Sequence, residues 1–106
     1  MTLDEQYQKT IDDQRTHLME LQEAFNKKCD EAKVTAQEKL KGVGELDSTG
    51  KEAILKDQQA TLDAALAELK GEIDHSTRAT MRALEAIMRQ KEQQILADLE
   101  KQLSTL

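Results

Sequence analysis

Proline and tryptophan are absent from this 106-residue chain, and Phe25, Tyr7 and Cys29 are the sole members of their types. Without these large aromatics, a compact globular core lacks its usual fillers. A single cysteine excludes an intrachain disulfide framework and fits a reducing compartment. No apolar run approaches the ~20 residues that a membrane span requires. The start, Met-Thr-Leu-Asp-Glu-Gln, has no basic region followed by an apolar one, so no secretory signal is read there and a cytoplasmic location is expected. Basic charge is also short: the formal net charge is −6. Binding to a phosphate backbone needs a basic surface, so nucleic acid is not the expected partner.

What remains is strongly helix-forming. Ala, Glu, Lys, Leu, Gln and Arg dominate, the charged fraction is 34%, and the apolar residues are mostly Leu, Ile, Met and Ala. Such a composition belongs to helices meeting along seams. Three of the four glycines, Gly42, Gly44 and Gly50, fall in one stretch, and Lys39 and Lys41 precede it. Glycine just past a helix end and cations in its last turn are both stop signals. Thr2-Leu3-Asp4-Glu5 and Thr49-Gly50-Lys51-Glu52 each fit a capping box, a hydroxyl with Glu three residues on. The chain is therefore read as one all-α helical-hairpin domain over 1–106, with helix 1 about 3–42, a turn at 43–49 and helix 2 about 50–104.

Gly71 is the one position that threatens to split helix 2. Periodicity argues against a break. Leu62, Ile73, Leu84, Ile95 and Leu106 recur every eleven residues straight through it, beside a second row of Leu55, Leu66, Thr77, Met88 and Leu99. Helix 1 carries Tyr7, Leu18, Cys29 and Leu40 at the same interval. Eleven residues in three turns is ~3.67 per turn, which predicts nearly straight helices or a slow right-handed supercoil, a hendecad coiled coil.

Charge predicts antiparallel pairing. Residues 4–23 carry a net −4 and 78–91 a net +3, while 27–41 carry +2 and 51–74 carry −3. Partners whose numbers sum to about 94 place Glu5 level with Arg89 and Asp12 level with Arg82. In that register helix 2 continues past helix 1, and Ile95, Leu96, Leu99, Leu103 and Leu106 extend its apolar stripe as a partner-binding segment. Exposed apolar rows mark interfaces, so a homodimer or higher, forming a helical bundle, or a helical protein partner, is expected.

Candidate chemistry is sparse. Glu72-Ile73-Asp74-His75 contains Glu-x-x-His, the ligand pair of di-iron bundles, and His17 falls near the same level. The pattern lacks the second motif and extra glutamates such sites use, so no metal or other cofactor is assigned. Gly44 to Lys51 superficially resembles a phosphate loop, but its spacing is one residue too long and Glu52 stands where Ser or Thr is required. Cys29 lies on the stripe and reads as a small hydrophobe. Gln14, Thr77, Thr80 and Lys91 interrupt the stripe as a polar layer of the kind that fixes register. No nucleophile–base pair is apparent, and catalysis is not expected.

In periodicity the helices are similar to those of the peripheral stalks of rotary ATPases, a likeness of repeat length alone. The function expected is a non-enzymatic structural or adaptor coiled coil that mediates assembly. The alternative is a small acidic chaperone that masks an amphipathic helix, as type III secretion chaperones do. Lipid or granule-surface binding, as in phasins, fits less well because aromatic anchors and basic charge are scarce.

Overall fold

The computed structural model describes residues 1–106 as two helices and no strand, α1 over Leu3–Lys41 and α2 over Ser48–Ser104. They pair antiparallel as a helical hairpin. Packing groups the residues into two units, each built from both helices. The first contains Met1–His17 with Asp74–Leu106, and the second contains Leu18–Ile73.

The start of α1 follows the sequence closely. Thr2 Oγ1 accepts from the Glu5 amide at 3.1 Å, and its hydroxyl donates to the Glu5 carboxylate at 3.2 Å. The start of α2 differs from expectation. It begins at Ser48, two residues early, because Asp47 and not Thr49 is the cap: Asp47 Oδ1 accepts from the Gly50 amide at 2.8 Å. Asp serves this position better than Thr, since an ionised carboxylate also complements the positive helix end. A Cβ on Gly50 would sit 2.5 Å from Asp47 Oδ2, so the glycine leaves room for the cap.

The end of α1 differs as well. It stops at Lys41, one residue short of the expected end, and the turn is 42–47 in place of 43–49. No glycine adopts positive φ. The last turn instead tightens, with the Gly42 amide on the Lys39 carbonyl at 3.1 Å and the Val43 amide on the Leu40 carbonyl at 3.2 Å. These shorter-range bonds satisfy carbonyls that an α-helix end leaves open.

Helical structure runs unbroken through Gly71, where an added methyl group would meet nothing within 4 Å. In the second unit the shielded positions of α1 are Leu18, Leu21, Phe25, Cys29, Ala32, Ala36 and Leu40, in steps of three and four, and Val43 of the turn continues the series. Their counterparts on α2 include Ile54, Gln58, Leu62, Ala65 and Leu69. Only Ala32, Ala36 and Ala65 are buried. Small side chains at the contact let two helices approach closely, but they remove little apolar surface from water. No large side chain in the chain is fully buried.

Replacing Gly71 with Ala should stabilise the chain by about 0.5–1 kcal/mol, because an exposed helical glycine costs backbone entropy with no compensating contact. Asp47→Ala should cost about 1 kcal/mol through the lost cap. Urea unfolding followed by far-ultraviolet circular dichroism measures both changes.

Candidate interaction surface

In the first unit, α1 and α2 meet through a polar layer and an ion pair. Gln14 lies between two hydroxyls of α2: its amide donates to Ser76 Oγ at 3.2 Å, and its carbonyl oxygen accepts from Thr80 Oγ1 at 2.9 Å. All three residues are half-buried. Lys91 Nζ holds Asp4 Oδ1 at 2.7 Å. The numbers of Asp4–Lys91 and Gln14–Thr80 sum to 95 and 94, the register expected from charge.

The particular charge pairs expected from that register do not form. Glu5 takes the Thr2 hydroxyl, Asp12 takes the Gln8 amide at 3.0 Å, and Arg82 and Arg89 make no ion pair within the chain. Level placement sets only height along the axis; these side chains project from flanks that do not face the other helix. Thr77, expected in the polar layer, is exposed, and Ser76 takes the place beside Gln14.

The second unit has one cross-helix ion pair, Lys28 Nζ to Glu68 Oε2 at 2.8 Å. That hydrogen bond holds the Lys28 ammonium above the usual lysine range, and the nearby Glu72 and Glu31 charges reinforce it. Glu72, a candidate metal ligand in the sequence, thus lies close enough to Lys28 to act on its charge. His17 and His75 are exposed, and nowhere do three or more His, Cys, Asp or Glu side chains come close enough to share a metal ion. Cys29 is a half-buried free thiol on the α1 stripe. In the phosphate-loop-like turn, the Gly50 amide is already occupied by Asp47, and Lys51 Nζ donates to the Glu45 carbonyl at 2.8 Å. Those bonds make the segment a turn and a cap.

The apolar residues of α2 are divided between two faces. One face meets α1. The other lies about 40° further round, four residues on at ~100° per residue. Its members stay in water: Leu55 and Leu66 in the second unit, and Met88 and Leu99 in the first, with Leu99 50% exposed. Met81, Ile95, Leu96 and Leu103 widen the exposed strip in the first unit. Every residue from 92 to 106 is exposed, which includes the five partner-binding candidates Ile95, Leu96, Leu99, Leu103 and Leu106. Tyr7, Met81, Leu84 and Met88 wall an open groove of about 440 Å³, with Glu85 and Arg89 among its lining residues. The sequence showed the apolar row but not this groove, because Tyr7 and Met88 are 81 positions apart and become neighbours only when the helices pair. No helix is long and apolar enough to cross a membrane.

The polar layer yields a stability test. Gln14→Ala alone takes from the Thr80 hydroxyl its cross-helix acceptor at a half-buried seam and should cost about 1–2 kcal/mol in urea unfolding. Gln14→Leu combined with Ser76→Ala and Thr80→Val removes the three polar side-chain groups together, and should match or exceed the original stability. Comparison of the chain with known proteins returned no matching family model, no matching curated protein and no matching solved structure.

Proposed function

We propose that this chain is a non-enzymatic structural or adaptor coiled coil whose exposed α2 face joins it to another protein surface. One observation carries the reading: the hairpin buries only three alanines, while a row of Leu, Ile and Met on α2 remains in water. Exposed contiguous apolar surface is costly in a lone soluble chain, and its usual role is to meet a partner. On α1 only Met19 and Val34 are exposed large apolar residues, well separated along the helix, so the free apolar row belongs to α2.

A second reading has one observation in its favour. The groove walled by Met81 and Met88 has the adaptable, polarizable lining that suits an amphipathic helix of varied sequence, as in a small helical chaperone. Structural assembly is preferred because, within the first unit, exposed apolar residues of α2 continue well beyond that groove at Ile95, Leu96, Leu99 and Leu103.

Photo-crosslinking in the native cell tests the assembly reading. A photoreactive residue at Leu99 should form discrete protein adducts, whereas the same group at Gln93, on another side of α2, should form few. Equal, low yields from the two positions would remove the basis for an interaction surface. A chaperone would instead give adducts that vary with the expression of its client.

A further inference from the structure

We infer that the occupant of the first unit's exposed α2 face is a second copy of this chain, docked antiparallel so that each C-terminal segment lies in the other copy's groove. This rests on the assembly reading and deepens it by naming the partner.

Charge complementarity is the first argument. Residues 78–91, with Arg78, Arg82, Arg89 and Lys91 against Glu85, carry a net +3, and residues 92–106, with Glu92, Asp98 and Glu100 against Lys101, carry a net −2. A parallel in-register pair would set each block beside its own sign. An antiparallel pair exchanges them, placing each basic block beside an acidic one. Lys91 and Arg78 are engaged, with Asp4 and Asp74 respectively, but Arg82 and Arg89 make no ion pair. Arg89 lines the groove.

Side-chain placement is the second argument. Taking partner levels that sum to about 187, Met88 stands opposite Leu99 of the second copy, and Leu84 opposite Leu103. The groove wall thereby meets the apolar edge of the C-terminal segment. Because the pair is two-fold symmetric, each contact occurs twice and like flanks of the two helices face each other. Glu100 lies eleven residues beyond Arg89, three full turns, hence on the same flank. Arg89 of one copy then falls within ~3 Å, along the axis, of the level of Glu100 in the other. Leu99 and Leu103, now in water, become covered, and Arg89 gains a carboxylate.

The test uses the whole purified chain. Sedimentation at micromolar concentration should show a dimer. Leu99→Asp should weaken association at least tenfold while circular dichroism still reports the helices, since Leu99 is exposed within one chain. Arg89→Glu and Glu100→Arg should each weaken it several-fold, and the double reversal should restore it, which a merely hydrophobic aggregate would not show. Spin labels at Ser104→Cys in a Cys29→Ser background should lie about 30 Å apart along the axis in the antiparallel pair. A monomeric wild type, a double reversal no better than the singles, or labels within about 15 Å would each overturn the proposal. If the chain is a monomer yet Leu99 still crosslinks to a different protein in the cell, self-docking fails and the assembly reading stands.

Discussion

The structure depends on how much apolar surface a single helix can hide from water. α1 offers α2 one stripe, and α2 covers it. The apolar arc of α2 is wider than that stripe, so pairing shields one side of it and leaves the other exposed. No choice of register removes the mismatch, because shifting α2 along or around α1 trades one exposed row for another. The residues most hidden from water are Ala32, Ala36 and Ala65. Burial thus falls on small side chains, and the large ones stay at the margin.

Stability in a pair of helices therefore comes from many half-buried contacts, with no dense core behind them. Polar interactions across the seam are few. Lys28–Glu68 and Asp4–Lys91 are exposed ion pairs, of the kind that contributes little and is screened by salt. Their effect is to favour one register over its neighbours. Because Lys28 is held above the usual lysine range, its contribution is intact at neutral pH and is lost only in strong alkali, as pH rises through that raised value. The Gln14–Ser76–Thr80 layer acts in the same sense with geometry in place of charge: a hydrogen-bonded trio has a single good alignment.

Much of this was legible in the primary structure. Helix content, antiparallel pairing, the continuity of α2 through Gly71 and the register near 94–95 all follow from periodicity and block charge, which are properties summed over many residues. Single-residue choices were less legible. The cap of α2 went to Asp47 although Thr49 also satisfied a capping pattern, because two nearby residues competed for the same role. Glu5, Asp12, Arg82 and Arg89 stand at the expected levels without pairing across the seam, since level along an axis does not specify which flank a side chain leaves from. The Glu72 and His75 motif was likewise a local spacing with no further ligands brought to it.

Taken alone, the amino-acid order determined the elements and their antiparallel alignment, because helix propensity and an apolar period act locally and repeat along the chain. Tertiary structure decided which of the two apolar rows of α2 is hidden. That choice depends on the angular position of α1 around α2, a single geometric variable that no residue encodes by itself. The same variable brought Tyr7 beside Met81, Leu84 and Met88. It left Leu55, Leu66, Met88 and Leu99 in water, and so turned a periodic pattern into a surface.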